Sequence, residues 1–229
     1  MDRKVTVISL GGSIIAPHGL DVQFLKSFIT EIKTYLDGCD SSLIFVCGGG
    51  ALARDYQNSV REIMKPDADS ADWLGIRATH LNAEAIRILF EDYASSKIVT
   101  DPNSEDIMFN SRVLVGGGWK PGFSTDTDAV LLARRFNASV VVNLSNIKKV
   151  YSDDPKSNPD AIPLDRISWA DFLKITGDEW VPGKNTPFDP VASKLAMESG
   201  ISVICSDGRD IQNTISILNG KEFNGTLIS

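Results

Sequence analysis

Three glycine runs, each placed directly after an apolar segment, are the features of this sequence with the clearest chemical meaning. They occur in VISLGGS (7–13), IFVCGGG (44–50) and VLVGGG (113–118). The apolar segments predict buried strands, and the carboxyl ends of parallel strands share one edge of a sheet. Glycine lets backbone N–H groups approach an anion without interference from a Cβ atom, and helix N-termini add partial positive charge. The three runs therefore predict a site for a phosphate-bearing ligand.

Several other chemical signatures are missing from the sequence. It contains neither G-x-x-x-x-G-K-[ST] nor G-x-G-x-x-G, which excludes a P-loop protein and an ordinary dinucleotide-binding protein. His18 and His80 are too isolated to form a metal cluster, and no nucleophile–base pair is evident. Cys39, Cys47 and Cys205 form no C-x-x-C pair, so we expect reduced and mostly buried thiols.

Length and composition are those of an ordinary globular protein. The chain has 229 residues, of which 42% are hydrophobic and 23% charged, and its net charge is −7. This length suits one large α/β domain or two closely packed lobes. The acidic balance argues against a dedicated nucleic-acid binder, although a few local cations can still hold a small anion. Without a signal-like segment or an apolar run of about 18 residues, the chain is expected to be cytoplasmic and to contact no membrane.

Apolar periodicity predicts alternating strands and helices along the chain. The predicted strands are 4–10, 42–47, 97–100, 111–115, 138–144, 202–205 and the terminal GTLI segment. The predicted helices are 21–36, 51–64, 72–93, 125–136, 169–175, 189–199 and 209–218. The polar stretch 145–168 is expected to form an extended excursion or a hairpin. Such alternation predicts an α/β fold, a three-layer αβα sandwich with a mostly parallel central sheet.

Seven motifs follow one another in a recognisable order. They are GGSII (11–15), GGGALARDY (48–56), DWLGIRATHLNA (72–83), GGGWKPGFSTDTDA (116–129), NIKKVYSDDPKSNP (146–159), DPVASKLA (189–196) and NGTLIS. Each motif is weak alone, but the combination is highly specific and runs nearly from end to end. It resembles the amino acid kinase superfamily, and within it the short archaeal-type branch of the uridylate (UMP) kinases. The resemblance implies one amino acid kinase domain over 1–229, with a UMP lobe at about 1–136 and an ATP lobe at about 137–229.

What the resemblance implies is transfer of a phosphoryl group from ATP to UMP, giving UDP, with Mg²⁺ accompanying ATP. Lys194 matches the lysine that reaches the transferring group, and Asp126 matches the aspartate that organises the catalytic groups. A phosphate acceptor is already largely a dianion at neutral pH because its second pKa is about 6. The reaction therefore needs alignment and charge neutralisation rather than a general base. No separate metal-binding residues are predicted.

The resemblance also distributes the binding residues between the two nucleotides. The residues expected to bind UMP are Gly49, Gly50, Arg54, Asp72, Asn82 and Thr125. The residues expected to bind the phosphates and adenine of ATP are Gly11, Gly12, Ser13, Asn146, Tyr151 and Asp154. Within the first set, Arg54 matches a position near the UMP phosphate and Asp72 a position at the ribose. Because the related enzymes are commonly hexamers built from dimers, a homo-oligomer is also implied.

Two positions depart from the family pattern. Ser9 stands where many superfamily kinases carry a lysine, so a positive charge would have to come from elsewhere. Lys148 and Lys149 replace an acid and a glycine of the usual adenine-side segment. These two lysines are expected either to bind phosphates of a nucleotide or to lie in a solvated loop. Asp128 is not required by the motif and is expected at the surface of its helix. The four tryptophans, at 73, 119, 169 and 180, are expected to serve packing, with Trp119 the best exception.

Two alternatives to a UMP kinase stay open at this point. One is another small-molecule kinase of the superfamily, such as an isopentenyl phosphate kinase, although such enzymes carry a histidine just after the second glycine run and this chain has ALARDY there. The other is a catalytically silent nucleotide-binding or regulatory protein, suggested by Ser9 and by the two lysines at 148–149.

Overall fold

The computed structural model describes residues 3–155, 157–177 and 186–229. The strands in these ranges are β1 (Lys4–Leu10), β2 (Ser41–Cys47), β3 (Val113–Gly116), β4 (Val140–Ser145), β5 (Val150–Tyr151), β6 (Pro163–Leu164), β7 (Arg166–Ile167), β8 (Ser202–Asp207) and β9 (Thr226–Ile228). The helices are α1 (Gly12–Ile15), α2 (Val22–Asp37), α3 (Gly50–Ile63), α4 (Ala68–Leu89), α5 (Thr125–Arg135), α6 (Trp169–Thr176), α7 (Pro190–Glu198) and α8 (Ile211–Leu218).

A seven-stranded sheet forms the centre of the molecule, in the order β3-β2-β1-β4-β8-β9-β7. The pairs from β3 to β8 are all parallel, and β9 runs antiparallel to β8. Because β1, β2, β3, β4 and β8 point the same way, their carboxyl ends meet at one edge, where open α/β sheets bind ligands. The predicted fold class, a mostly parallel sheet between helical layers, is confirmed.

Apolar side chains fill both faces of this sheet. Successive strand residues alternate between the faces, so Ile8 and Phe45 belong to one apolar cluster while Val7 and Ile44 belong to the other. The first cluster includes buried residues of α1, α2, α4 and α8, and the second includes those of α5, α6 and α7. The two cores fix the starts of α1 and α5 relative to the sheet edge.

The observed elements differ from the predicted ones in a few places. The predicted strand 97–100 is wrong, because only a single bridge joins Val99 to Gly116 beside β3. Helix α4 begins four residues before the predicted start, since the carboxylate of Asp67 accepts a hydrogen bond from Ser70 N and caps the helix there. The expected excursion after β4 contains the β5–β6 hairpin and the edge strand β7.

Two other expectations concern the chain as a whole. Cys39, Cys47 and Cys205 are free thiols, and burial raises the pKa of Cys47 and of Cys205. None of the helices in the described ranges has the length and apolarity needed to cross a membrane.

Candidate active site

The first and second glycine turns pack backbone against backbone. A Cβ atom on Gly12 would lie 2.0 Å from Gly50 N, and one on Gly48 would lie 2.5 Å from Gly12 N. Gly50 has a φ of +65°, and its Cβ would lie 2.4 Å from Gly12 O. Larger residues are therefore excluded here by contact between the two turns as well as by backbone conformation. This contact holds the N-terminus of α1 beside that of α3.

The third glycine turn packs against α4 rather than against the other two turns. Thr79 Oγ1 accepts a hydrogen bond from Gly118 N at 2.7 Å, and a Cβ atom on Gly117 would lie 2.9 Å from that hydroxyl. His80 Nε2 donates to Gly118 O at 2.7 Å, and burial lowers the pKa of this histidine. The expectation that these glycines expose their N–H groups to phosphate is wrong for Gly118, whose N–H is bound by a side chain.

A cavity of about 390 Å³ lies between α3, α4, the loop after β3 and the starts of α5 and α7. Its volume suits a small ligand of nucleotide size. Five of the six residues predicted to bind UMP line it, namely Gly49, Gly50, Arg54, Asp72 and Thr125. The residues that the sequence analysis did not select include Gln57, Thr79, Phe123, Thr127 and Asp189. The cavity therefore collects side chains from four separate parts of the chain.

One part of this cavity offers positive charge to an anion, although Asp72 and Asp189 are also in its lining. Helix α3 begins at Gly50 with no side chain capping it, and α5 begins at Thr125. Both N-termini lie in the lining, where their partial positive charges add to that of Arg54. Asp72 lies on α4 at the same cavity, and its Oδ2 accepts a hydrogen bond from Gly122 N at 3.1 Å.

Asn82, the sixth residue predicted to bind UMP, lies behind the cavity wall. It is buried, with 3% of its surface exposed. Its side-chain amide donates to Gly48 O at 2.8 Å and to Gly49 O at 3.3 Å. In this structure Asn82 holds the second glycine turn on α4, which is a support for the site rather than a lining position.

Asp126 joins three elements at the centre of the sheet edge. Its Oδ1 accepts a hydrogen bond from Ser9 Oγ at 2.9 Å, and its Oδ2 accepts one from Asp189 N at 3.2 Å. Ser9 is the second-last residue of β1, and Asp189 caps α7, the helix that carries the half-buried Lys194. Burial raises the pKa of Asp126 to about 6, although both hydrogen bonds act in the opposite direction. The serine that replaces the usual family lysine is thus bound to the catalytic aspartate predicted from the sequence.

Asp128 is buried, so its predicted place at the helix surface is wrong. Only 1% of its surface is exposed. Its Oδ2 accepts a hydrogen bond from Trp119 N at 3.0 Å, while its Oδ1 finds no hydrogen-bond partner among the described residues. Burial raises the pKa of Asp128 to about 7, with further contributions from the charges of Asp126 and Asp101. The loop after β3 folds back over α5 and covers this side chain.

Comparison with known proteins places the chain in a family. The family model described as "Amino acid kinase family" matches residues 4–207. The chain belongs to the amino acid kinase family. A uridylate kinase from Methanothrix thermoacetophila is 32% identical, covering 94% of this chain and 96% of the relative. One from Methanospirillum hungatei is 34% identical, covering 97% and 94%.

Solved structures of a uridylate kinase and a UMP kinase have the same fold. The uridylate kinase from Archaeoglobus fulgidus superposes with a TM-score of 0.82 at 32% identity, covering 98% of this chain and 99% of that one. The UMP kinase from Ureaplasma parvum, at 20% identity and a TM-score of 0.76, shows the shared fold alone.

The residues predicted for ATP lie in the first glycine turn and around the end of β4 in this amino acid kinase fold. Gly11 N donates to Leu144 O at 2.9 Å, which places the turn at the end of β4, next to the exposed Asn146. Ser13 lies in α1, the half-buried Tyr151 lies in β5, and the exposed Asp154 follows that strand. None of these residues is in the lining of the cavity described above, although Gly12 packs directly against Gly50 of the UMP set.

The remaining sequence features fall around these two regions. Lys149 forms an ion pair with Asp165, whereas Lys148 is exposed. Trp169 is buried in the core, as expected for a packing residue, and Trp119 is half-buried in the loop after β3. Trp73 is 41% exposed, and Trp180 lies outside the described residues.

Proposed function

We propose that the protein is a UMP kinase that transfers the γ-phosphoryl group of ATP to UMP, giving UDP. The observation that carries the proposal is the cavity that gathers Gly50, Arg54, Asp72 and Thr125 at the N-termini of α3 and α5. This cavity belongs to a chain at least 30% identical, over nearly its whole length, to relatives named uridylate kinase. Its size and local positive charge suit a nucleoside monophosphate.

The geometry supports a division of labour along the sheet edge. In the proposal, Arg54 and the start of α3 hold the UMP phosphate, and Asp72 holds the ribose. Asp126 orients the groups around the transferring phosphoryl, and Lys194 on α7 approaches it from the ATP side. Since the UMP phosphate is a nucleophile without prior deprotonation, the residues supply alignment and charge neutralisation.

Mg²⁺ fits this site as a companion of ATP. The described residues include no group of three or more His, Cys, Asp or Glu side chains that could hold a metal ion. Mg²⁺ commonly binds through substrate phosphates and water, with only one or two carboxylates. When bound with ATP it neutralises charge on the phosphates. The cytoplasmic location, the role in pyrimidine nucleotide synthesis, the two-lobe division and the dimer-based hexamer remain predictions.

An assay of ADP release with a panel of acceptors tests the function. The panel is UMP, CMP and isopentenyl phosphate, each with ATP and Mg²⁺. We expect turnover with UMP and no turnover with CMP or isopentenyl phosphate. Turnover with isopentenyl phosphate instead would indicate another kinase of the family, and UMP binding without turnover would indicate a silent nucleotide-binding protein.

Replacement of Arg54 by alanine tests the acceptor site. We expect the KM for UMP to rise by about tenfold or more, with a smaller change in kcat, because a charge-assisted contact to the acceptor phosphate is lost. Arg61→Ala is the matched control, since Arg61 is an exposed arginine of the same helix outside the cavity lining. An unchanged KM for UMP in Arg54→Ala would place Arg54 outside the acceptor site.

A further inference from the structure

The loop between β3 and α5 is tied to the protein at both of its ends. At its start, Thr79 and His80 of α4 bind the N–H and C=O groups of Gly118. At its far end, Asp72 accepts from Gly122 N. Between them, Asp128 of α5 accepts from Trp119 N at 3.0 Å. The loop therefore depends on side chains from two different helices.

The contact made by Asp128 is transmitted to the cavity through the side chains of the loop. The ring of Trp119 packs on that of Phe123, with centroids 4.9 Å apart. Lys120 Nζ lies over both rings, at 3.9 Å from the first centroid and 4.9 Å from the second. Phe123 in turn lines the cavity proposed for UMP. Fixing the backbone of Trp119 thus fixes the position of a cavity wall.

The hydrogen bonds that Asp72 of α4 and Asp128 of α5 make to the loop differ in how far bound UMP can disturb them. Asp72 lines the cavity and is half-buried, so an acceptor bound there would compete with Gly122 N for its oxygens. Asp128 is 1% exposed and lies outside the lining, so an acceptor in the cavity would not compete directly for its bond to Trp119 N. The buried hydrogen bond from Trp119 N to Asp128 can therefore keep the loop in place while Asp72 binds the ligand.

The chemistry of Asp128 is costly for a residue that only fills space. A buried carboxylate with an unpartnered oxygen destabilises the fold, and an alanine or valine would pack there without that cost, so we expect such a residue to be kept for a task. A carboxylate also makes a stronger bond to a backbone N–H than a neutral acceptor does. Such breaches of local packing rules are most common at functional sites.

We propose that Asp128 is a positioning residue for the acceptor: its bond to Trp119 N sets the loop wall of the UMP cavity, and thereby UMP affinity. The inference rests on the proposed function. It adds a residue that acts through the loop and does not touch substrate.

Steady-state kinetics of Asp128→Ala and Asp128→Asn test the proposal. In Asp128→Ala we expect the KM for UMP to rise by about tenfold, and the KM for ATP to change less than about twofold. Asp128→Asn keeps a carbonyl oxygen for Trp119 N and is expected to restore the KM for UMP to within about threefold of the wild type. Asp69→Ala is the control, since Asp69 is an exposed acid in the first turn of α4.

Hydrogen exchange at the Trp119 amide supplies a readout that kinetics cannot. The amide should be protected in the wild type and in Asp128→Asn, and should exchange at least about tenfold faster in Asp128→Ala. If Asp128→Ala does not fold, Asp128→Thr takes its place. Threonine has a similar volume, but its hydroxyl oxygen is one bond nearer to the backbone and so does not replace the carboxylate as the acceptor for Trp119 N.

The outcomes separate the inference from the proposed function. An unchanged KM for UMP in a folded Asp128→Ala or Asp128→Thr protein overturns the inference, as does an equal rise in the KM for both nucleotides. A Trp119 amide that is unprotected in the wild type overturns it as well. By contrast, a wild-type protein without UMP kinase activity overturns the function, whatever the variants do.

Discussion

Asp126 and Asp128 lie two residues apart in the first turn of α5, yet they serve different neighbours. Both oxygens of Asp126 accept hydrogen bonds, one from Ser9 and one from Asp189 N, so this carboxylate connects β1 with the start of α7. Asp128 faces away from that junction and binds the loop after β3 through Trp119 N. A single helical turn therefore connects the region proposed for phosphoryl transfer with the wall of the acceptor cavity.

The difference lies in what each carboxylate can influence. Asp126 is near the groups proposed to act on the transferring phosphoryl, so a change there should alter kcat. Asp128 binds the loop that forms a wall of the acceptor cavity, so a change there should alter UMP binding and the stability of the fold. The contrast also appears in hydrogen bonding, because within the described ranges Asp126 has partners for both oxygens and Asp128 for one.

Replacement of Asp126 by asparagine should have the largest effect on catalysis. The amide has one oxygen where the carboxylate has two, so either the bond from Ser9 or the bond from Asp189 N loses its acceptor, and the negative charge is lost as well. We expect kcat to fall by about 10²–10³-fold with the KM for UMP within about threefold of the wild type. A kcat near that of the wild type, or a larger change in KM than in kcat, would remove Asp126 from the transfer region.

Replacement of Asp128 by asparagine should change how stability depends on pH. The pKa of Asp128 is about 7 in the folded protein and near 3.8 in the unfolded chain, so the folded state binds the proton more tightly. The stabilisation by the protonated acid is complete below about pH 4 and is lost as the pH rises through 7. The asparagine variant, which does not titrate there, should gain about 4 kcal/mol relative to the wild type between pH 4 and pH 8.

Urea unfolding of both proteins at several pH values measures that difference. Only its change with pH is needed, so any constant effect of the amide on packing cancels. A difference that stays flat from pH 4 to pH 8 would show that the Asp128 carboxylate is not held in an unfavourable environment. Asp126→Asn, measured in the same way, should show a smaller change, because the folded-state pKa of Asp126 is only about 6.

Local patterns in the sequence were enough to predict the frame of the molecule. Apolar runs ending in glycines predicted β1, β2 and β3, and the alternation of strands with amphipathic helices predicted the parallel sheet. The position of the cavity at the carboxyl ends of these strands follows from the same topology. The segment at 97–100 was misjudged because its composition is strand-like, whereas pairing with β3 is limited to one bridge.

Contacts between distant segments explain what the sequence could not predict. Gly117 and Gly118 resemble phosphate-binding glycines, but their lack of side chains makes room for Thr79 and His80, some 40 residues earlier in the chain. Asp128 was expected at the surface because the family motif does not require it. Its burial depends on the path of the loop that carries Trp119, which no local pattern specifies.

Replacement of Ser9 by alanine should have the smallest effect and makes the contrast between the two carboxylates sharper. The change removes one donor to Asp126 Oδ1 but leaves the charge and the bond from Asp189 N in place. We expect kcat to fall by roughly three- to tenfold with no change in the KM for UMP. Ser42→Ala is the control, because Ser42 is a buried serine near the opposite end of the adjacent strand. If Ser9 acts through Asp126, adding Ser9→Ala to Asp126→Asn should cost little more, whereas full additivity would mean that the two residues act independently.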